Sequence, residues 1–329
     1  MLISILGGGS WATAMAHNLS SRHDILMYVR NEENCRDINE FHENKRYMSG
    51  YKLKDNIKAT TNIKDVLDNK IIINAIPTQN IRQMLSDSFS MFKNDSIIVN
   101  LSKGIEKKTG KRISEVFEEF LPSCTYSCLS GPSHAEEVIE DKYTSVVIST
   151  KDEDMAKYLQ SIFSSETLRV YTNTDLVGVE LGGAVKNVLA LGIGMLDGLN
   201  MGDNPKAALM TRGIHEMARF CMDMGGERNT LYGLAGLGDL IVTATSKHSR
   251  NRKAGELLGR GVSIDKLENE IKMVVEGVPT AVALYEVSKE KDIYMPITGM
   301  IYRILYDNLS LDEAALSLMS NVDKEEFDF

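Results

Sequence analysis

Short apolar runs rich in β-branched residues alternate with longer, more polar segments through the first half of the chain. The runs cover residues 2–6, 25–29, 71–76, 96–101, 126–130 and 144–150. Strands that alternate with helices favour a parallel sheet. Because the runs are apolar throughout, they are typical of strands that are covered on both faces. The pattern therefore predicts a doubly wound α/β fold.

The second half of the chain has a different pattern. After residue 171 it shows long segments of helical spacing, clusters of small residues and few strand-like runs. Pro205, Pro279 and Pro296 stand where each suits the first turn of a helix. We place the change near residues 172–178. The sequence thus predicts a parallel-sheet domain over residues 1–175 and an all-helical domain over residues 176–329.

The composition suits two globular domains and narrows the range of ligands. A chain of 329 residues, 43% of them hydrophobic, can bury a large core. The formal net charge of -9 argues against nucleic acid as a partner, since that affinity comes from clustered Lys and Arg. An anionic small molecule would need a local basic pocket.

Residue spacing argues against several other classes of protein. The four cysteines have no CxxC spacing, which indicates reduced thiols in a cytoplasmic protein. The six histidines form no HxxxH or HExxH pattern, so we predict no metal site. No run approaches the roughly 18 uninterrupted apolar residues of a membrane span, and the first run is too short for a signal peptide. We expect a soluble protein.

A glycine-rich turn follows the first predicted strand. Gly7, Gly9 and Ala12 have the spacing G-x-G-x-x-A and lead into a helical segment and a second strand. Gly7 allows the tight turn, Gly9 lets the backbone approach a pyrophosphate, and Ala12 keeps the helix close to the sheet. The N–H groups at the helix start can then bind phosphate. The motif alone is weak, but in this order of elements it predicts a Rossmann-type dinucleotide site.

The end of the second predicted strand bears on the choice of dinucleotide. An NAD site usually carries Asp or Glu about 20 residues past the glycines, whereas this chain has Arg30 there. A guanidinium can pair with the 2′-phosphate of NADP. Glu32 and Glu33 are close enough to present a carboxylate instead. We predict that NADPH is used at least as well as NADH.

One lysine of the helical half stands among small residues. Gly182, Gly183 and Ala190 flank Lys186 on one helix face. Two adjacent glycines destabilise a helix by about 1 kcal/mol each, so a close contact should explain them. The face is either a ligand slot beside Lys186 or a helix contact from which the lysine extends to solvent. Spacing alone does not choose between them.

Two further motifs follow in the helical half. They are Gly236-Leu237-Gly238-Asp239-Leu240 and Ser249-Arg250-Asn251-Arg252. Arginine gives fork-like recognition of phosphate, although a short charged run is otherwise usually a solvated face.

Taken together, these motifs resemble the bacterial-type NAD(P)-dependent glycerol-3-phosphate dehydrogenases. The resembling segments run in order through nearly the whole chain: 7–12, 102–106, 130–135, 183–187, 236–240, 249–252 and 275–277. Ala12 is a departure, because the family often has glycine there, but the fingerprint tolerates it. The resemblance implies NAD(H) or NADP(H) as cofactor and interconversion of dihydroxyacetone phosphate and sn-glycerol 3-phosphate as the reaction. It also implies phospholipid synthesis as the pathway and a homodimer.

The resemblance further implies a set of site residues. Those expected to bind the cofactor are Gly7, Gly9, Ser10, Trp11, Ala12, Arg30, Lys103, Ala135, Arg250, Val274 and Glu276. Those expected to surround the substrate are Lys103, Gly131, Ser133, Lys186, Asn187, Asp239, Thr243, Ser249, Arg250 and Asn251. Lys186 and Asp239 are the expected catalytic residues.

The chemistry of ketone reduction agrees with these roles. Hydride addition leaves negative charge on the carbonyl oxygen, so an ammonium such as Lys186 that stabilises the charge and delivers a proton lowers the barrier. Asp239 can hold and tune the lysine, while Arg250 and the neighbouring backbone can bind phosphate. Ser133 and Glu136 have the S-x-x-E spacing of a capping box, which predicts a further helix N-terminus beside the anion or capping alone.

Two other functions stay open at this stage. Rossmann dehydrogenases of 6-phosphogluconate, hydroxyacids or ketopantoate also combine a helical half with a catalytic lysine, but they should lack the 249–252 motif in this arrangement. A non-catalytic dinucleotide sensor is the second alternative, and in it Lys186 would be structural.

Overall fold

A computed structural model describes residues 1–271 and 273–319, and within them the first half of the chain folds around an eight-stranded sheet. The strands are β1 (Leu2–Leu6), β2 (Asp24–Tyr28), β3 (Ile57–Thr60), β4 (Ile71–Asn74), β5 (Ile97–Asn100), β6 (Thr125–Ser130), β7 (Thr144–Ser149) and β8 (Leu168–Asn173). Their order across the sheet is β3, β2, β1, β4, β5, β6, β7, β8. Neighbouring strands are parallel except β6 and β7, which are antiparallel.

Both faces of this sheet are covered, as the continuous apolar runs predicted. The helices that follow the strands are α1 (Ser10–Leu19), α2 (Glu32–Phe41), α3 (Ile63–Leu67), α4 (Ile81–Ser88), α5 (Ile113–Phe120), α6 (Ala135–Val138) and α7 (Glu153–Phe163). In β4, Ile71 and Ile73 belong to one apolar cluster, whereas Ile72 between them belongs to another. Because successive side chains of a strand point to opposite faces, the sheet lies between two cores. The doubly wound prediction is confirmed.

Strand β3 was absent from the sequence prediction. It has only four residues, and its burial alternates along Ile57-Lys58-Ala59-Thr60 at the edge of the sheet. A short edge strand that is half polar gives no apolar run, so the pattern that revealed the central strands could not reveal this one.

The second half is helical, as predicted. Its helices are α8 (Leu176–Gly198), α9 (Asp203–Asp223), α10 (Asp239–Thr245), α11 (Arg250–Gly259), α12 (Leu267–Ile271), α13 (Gly277–Glu290), α14 (Pro296–Tyr306) and α15 (Leu311–Met319). Pro205, Pro279 and Pro296 all lie in first turns of these helices. Strand β8 ends at Asn173, and the Asp175 carboxylate caps α8 by accepting the Gly178 N–H at 2.8 Å.

Helix α8 is the core of this half. By length and composition it is the one described helix that could cross a membrane, yet 94% of its most apolar window is buried inside the protein. Such burial is typical of the central helix of a helical domain.

Helices α8 and α11 touch backbone to backbone through glycines. A Cβ at Gly255 of α11 would lie 1.9 Å from the carbonyl oxygen of Leu191, and one at Gly194 of α8 would lie 2.0 Å from that of Arg252. Any side chain at these positions would push the helices apart. The contact therefore fixes the N-terminus of α11 beside the middle of α8.

Candidate active site

The glycine turn after β1 has the geometry of a phosphate-binding loop. Gly7 has a φ of 118°, a conformation that favours glycine, and a Cβ there would lie 3.0 Å from the Ala75 carbonyl oxygen. A Cβ at Gly9 would meet no other described residue within 4 Å, so this position opens to free space. Gly9 also precedes α1 without any side-chain cap, which leaves the first N–H groups of the helix available. The turn fits a pyrophosphate.

The first turn of α1 places Ser10, Trp11 and Ala12 in different environments. The Ser10 hydroxyl donates to the Tyr47 carbonyl at 3.1 Å, so its remaining donor is the backbone N–H. Trp11 is half-buried, and its Nε1 is buried with no partner in the described chain. Ala12 is fully buried against the sheet. An orphaned indole N–H is typical of a site that a bound ligand completes.

Three charged side chains from distant parts of the sequence meet at the carboxyl ends of the strands. The Lys186 Nζ donates to Oδ1 of Asp239 at 2.9 Å and to Oγ1 of Thr243 at 2.7 Å. The Lys103 Nζ donates to the other oxygen of Asp239, Oδ2, at 2.6 Å and to the Gly131 carbonyl at 3.0 Å. Two ammonium groups thus share one carboxylate, which leaves the cluster with a net positive charge.

Burial and charge tune this cluster. Burial lowers the pKa of Lys186 to about 8; the Asp239 charge opposes this shift and the Lys103 ammonium adds to it. Burial alone would raise the pKa of Asp239, but the two lysines outweigh it and hold that pKa below its ordinary value. Asp239 is therefore ionised at neutral pH, and Lys186 can give up its proton there more readily than an exposed lysine.

The paired glycines of α8 now have an explanation. A Cβ at Gly182 would lie 2.7 Å from the Ala235 carbonyl oxygen, and one at Gly183 would lie 2.9 Å from Oγ of Ser130. The glycines let α8 press against β6 and the turn before α10, while Lys186 itself is only 7% exposed. Of the two readings of this helix face, the one that sends the lysine to solvent is excluded.

A chain of side-chain amides crosses the site. The Asn187 Nδ2 donates to the Lys103 carbonyl at 3.0 Å, and the Asn251 Nδ2 donates to Oδ1 of Asn187 at 2.9 Å. Oδ1 of Asn251 in turn accepts the Gly277 N–H at 2.9 Å. Both predicted asparagines are thus engaged through their side chains, and they tie the first half of the chain to α8, α11 and α13.

The N-terminus of α11 forms the basic side of the site. The Ser249 hydroxyl caps the helix by accepting the Arg252 N–H at 3.2 Å. The Arg252 side chain points to Asp197, which it binds at 2.7 Å. By contrast, the half-buried Arg250 makes no hydrogen bond or ion pair with the described part of the chain. Burial lowers the pKa of its guanidinium, and Glu136 and Glu276 oppose this shift.

Glu276 connects the loop before α13 to the sheet. Its Oε1 accepts the Thr78 N–H at 2.9 Å, while its buried Oε2 has no partner in the described chain. Burial raises the pKa of this carboxyl to about 6, although the bond from the Thr78 N–H and the Arg250 charge lower it. Thr78 follows β4, at the strand edge where ligands of open α/β sheets bind.

Arg30 lies beyond the end of β2 and is exposed. It makes no hydrogen bond or ion pair with the described residues, whereas the Glu32 carboxylate accepts the Thr61 hydroxyl at 2.8 Å from the first turn of α2. The Arg30 guanidinium at the end of β2 is therefore available to a ligand. Of the two nearby carboxylates, Glu32 and Glu33, that of Glu32 already binds Thr61.

The predicted capping box at Ser133 is wrong. The residue that precedes α6 is His134, and no side chain caps the helix. The Ser133 hydroxyl instead donates to the Gly131 carbonyl at 2.8 Å. Gly131 has a φ of 132°, and the tight turn that it makes brings its carbonyl to both Ser133 and Lys103.

The remaining residues predicted to bind the cofactor are Ala135 and Val274. Ala135 begins α6, which packs on α1, and it is buried. Val274 is exposed on the segment before α13. Sequence reasoning missed Ser130, whose buried hydroxyl has no partner in the described chain, and Glu136, which faces Arg250. Ser130 lies in a resembling segment and Glu136 in the S-x-x-E spacing, but neither pattern indicates the buried hydroxyl or a charge interaction with a residue as distant in sequence as Arg250.

Comparisons with known proteins give a consistent result. A family model described as the N-terminus of NAD-dependent glycerol-3-phosphate dehydrogenase matches residues 2–156, and the corresponding C-terminus model matches residues 175–316. A relative from Bacillus licheniformis named as an NAD(P)+ glycerol-3-phosphate dehydrogenase is 47% identical over 99% of this chain and 96% of its own length. A relative of the same name from Clostridium tetani is 42% identical over 98% and 93%.

Solved structures agree with the sequence relatives. The crystal structure of glycerol-3-phosphate dehydrogenase from Coxiella burnetii superposes with a TM-score of 0.93 at 33% identity, over 97% of this chain and 99% of that one. A probable 2-dehydropantoate 2-reductase from Bacillus subtilis reaches a TM-score of 0.61 at 14% identity, over 93% and 99% of the two chains, and shares the fold alone.

Proposed function

This chain belongs to the family of NAD-dependent glycerol-3-phosphate dehydrogenases, and from that premise we propose how its own residues carry out the reaction. It is an oxidoreductase that interconverts dihydroxyacetone phosphate and sn-glycerol 3-phosphate by hydride transfer with NAD(P)H. The observation that carries the proposal is the buried ion pair between Lys186 and Asp239 at the strand ends.

Lys186 is the catalytic acid of the reduction. When bound, the nicotinamide supplies the hydride, and Lys186 stabilises the charge that grows on the carbonyl oxygen and donates the proton to it. A pKa of about 8 suits this task, because the lysine is largely protonated at neutral pH yet releases its proton readily. In the opposite direction the neutral lysine takes the proton from the substrate hydroxyl.

Asp239 holds the acid in place, and Lys103 supplies a second positive charge. Each oxygen of Asp239 binds a different ammonium, so neither lysine can turn away without losing a buried ion pair. Thr243 accepts a further bond from Lys186 and limits its rotation. The net positive charge favours an anionic substrate, which the overall charge of the protein would otherwise repel.

The phosphate binds at the N-terminus of α11. The unpaired Arg250 guanidinium and the first N–H groups of the helix, including that of Asn251, are charge-assisted donors for a dianion. Ser249 shapes this end as the cap, and Gly131 and Ser133 bound the substrate on the opposite side. Asn187 aligns the backbone of Lys103 with the site.

The domain of residues 1–175 supplies most of the expected dinucleotide contacts, and the helical domain supplies Lys186, Asp239 and most of the phosphate-binding residues. Support comes from the open turn at Gly9 and from the orphaned donor of Trp11. The other expected contacts are Gly7, Ser10, Ala12, Arg30, Lys103, Ala135, Arg250, Val274 and Glu276. NADPH is used at least as well as NADH, because the Arg30 guanidinium can pair with its 2′-phosphate.

The cellular role follows from the product. Glycerol 3-phosphate is the backbone of glycerophospholipids, so we propose that the enzyme supplies phospholipid synthesis in the cytoplasm. The family resemblance is the ground for proposing a homodimer. Reduced cysteines agree with this location, since all four are free thiols in the structure.

Incubation of the purified protein with NADPH and dihydroxyacetone phosphate tests the proposal. We expect loss of absorbance at the NADPH band, with formation of glycerol 3-phosphate, and little loss with ketopantoate. Intrinsic fluorescence separates the alternatives, because Trp11 is the only tryptophan. A saturable change in emission with NADPH, but no turnover of any ketone, would identify a sensor and refute the enzyme.

A further inference from the structure

Glu180 is a buried carboxylate outside the lysine cluster that accepts four hydrogen bonds. Its Oε1 accepts the Ser114 N–H at 2.9 Å and the Tyr126 hydroxyl at 2.7 Å. Its Oε2 accepts the Ser114 hydroxyl at 2.5 Å and Nη1 of Arg112 at 2.9 Å. A carboxylate has about four lone-pair positions, so this one is fully used.

All four donors come from the first half of the chain. Ser114 is the second residue of α5, Arg112 directly precedes that helix, and Tyr126 lies in β6. Glu180 itself is the fifth residue of α8 and is 7% exposed. The carboxylate therefore connects the first turns of α8 to the sheet domain by hydrogen bonds, six residues before Lys186.

The stretch of α8 between Glu180 and Lys186 has only apolar residues, and its buried Leu181 and Val185 pack in the core of the helical half. Gly182 and Gly183 meet their neighbours as bare backbone and present no side chain that could lock into a groove. Apolar packing is non-directional, so the hydrogen bonds of Glu180 are the nearest directional contacts on the N-terminal side of Lys186. Since Lys186 is about 9 Å further along the helix axis, a small movement of α8 at Glu180 carries the lysine with it.

We propose that Glu180 is a positioning residue, whose four hydrogen bonds set the register of α8 and so hold the Lys186 Nζ within reach of Asp239. The proposal rests on the function assigned to Lys186 above. Glu180→Gln keeps the shape of the side chain but replaces one acceptor oxygen with an NH2 group. In one orientation that group faces Arg112 and the Ser114 hydroxyl, and in the other it faces the Ser114 N–H and Tyr126, so it always meets groups that donate in the wild-type protein. The register is then lost while the residues that touch the substrate remain unchanged.

The test compares Glu180→Gln with Glu216→Gln in the full-length protein. Glu216 is also a buried carboxylate, and its recorded hydrogen bonds join it to α14, where it accepts the N–H groups of Ile297 and Thr298 at 2.7 and 2.9 Å. Both variants should lose stability. Only Glu180→Gln should lower kcat, by about 10-fold or more, and displace the pH profile of kcat, with the KM for NADPH within about twofold.

A milder variant and a second readout complete the experiment. Tyr126→Phe removes one of the four donors without a change of charge, and should lower kcat by about two- to fivefold. The pH dependence of Lys186 acetylation, read by peptide mass spectrometry, should move its midpoint by about half a unit or more in Glu180→Gln. Equal kcat and pH profiles in the two glutamine variants, or an unmoved acetylation midpoint, would overturn the proposal.

The acetylation readout also separates this inference from the proposed function. It needs no turnover, so it reports the environment of Lys186 even if the wild-type protein reduces no ketone. A midpoint that moves in a protein without activity would support the positioning role and reject the catalytic one, whereas activity with an unmoved midpoint would do the reverse.

Discussion

Asp239 binds Lys186 through one carboxylate oxygen, Oδ1, and leaves the other to a second lysine. The two residues are 53 positions apart and come from adjacent helices, α8 and α10. Lys186 is the buried cation of this cluster: Asp239 holds its ammonium in place, and burial and the neighbouring charges set its pKa.

We expect Lys186→Met to lower kcat by about 10² or more, because the variant cannot stabilise or protonate the oxyanion. Cofactor affinity, measured by Trp11 fluorescence, should be nearly unchanged; near-normal turnover would exclude the role.

The pH dependence of the two directions should be opposite. The acid must be protonated for reduction, so that rate should fall as the pH rises through about 8, the pKa of Lys186. Oxidation of glycerol 3-phosphate needs the neutral amine and should rise over the same range. Asp239→Asn removes the charge that raises this pKa, so the pH profiles of both directions should move to lower pH, with kcat reduced by at least about tenfold. Profiles that do not move in this variant would show that another group titrates.

Arg250 should discriminate between phosphorylated and unphosphorylated ketones. Its guanidinium is unpaired in the described structure, and charge-assisted bonds to a phosphate contribute about 1.5 to 3 kcal/mol. Arg250→Ala should therefore raise the KM for dihydroxyacetone phosphate by about 10- to 100-fold, and that for dihydroxyacetone far less. NADPH affinity must be measured alongside, because Glu276 and Arg250 share one environment. Equal losses for both ketones would assign Arg250 to another task.

Arg30 should set the preference for NADPH. Arg30→Asp replaces a free guanidinium with a carboxylate that repels the 2′-phosphate and accepts from the 2′-hydroxyl of NADH. We expect kcat/KM to fall much more for NADPH than for NADH. A wild-type enzyme that strongly prefers NADH, together with an unchanged ratio in the variant, would show that Arg30 does not read the phosphate.

The contact between α8 and α11 should tolerate no side chain. Gly255→Ala would place Cβ 1.9 Å from the Leu191 carbonyl oxygen, so overpacking should cost about 1 to 3 kcal/mol or more. Gly299→Ala is the matched control in α14, where the new Cβ would meet only Cε2 of Tyr285 at 3.9 Å. That variant should gain up to about 1 kcal/mol from helix propensity. Urea unfolding measures both, and similar stabilities would mean that the helices can separate without cost.

The sequence predicted what depends on local pattern. The apolar runs of β4 and β5 revealed central strands because burial on both faces leaves no polar positions. The glycine turn was recognisable because its order of elements is fixed within a short stretch of chain. The edge strand β3 escaped because half of its residues are polar.

What the sequence could not supply was the pairing of distant groups. Nothing in the local pattern indicates that Lys103 and Asp239, 136 residues apart, share an ion pair. The capping box at Ser133 failed because α6 begins at Ala135, so His134 and not Ser133 directly precedes the helix. Local spacing can indicate a capping bond, but the residue at which the helix begins determines whether the bond forms.

The chain of amides through Asn187 and Asn251 also bears on how such an enzyme can be recombined. It ends on main-chain atoms at both sides, the Lys103 carbonyl and the Gly277 N–H. A chimaera joined between residues 173 and 176 would take both asparagines from one parent and only a carbonyl from the other. Because every amino acid provides a backbone carbonyl, this contact requires no particular side chain from the parent that supplies the first half. The demand falls instead on side-chain pairs: the Asp239 of one parent must still meet a lysine at position 103 of the other, and its Glu180 must still meet the donors of Arg112, Ser114 and Tyr126.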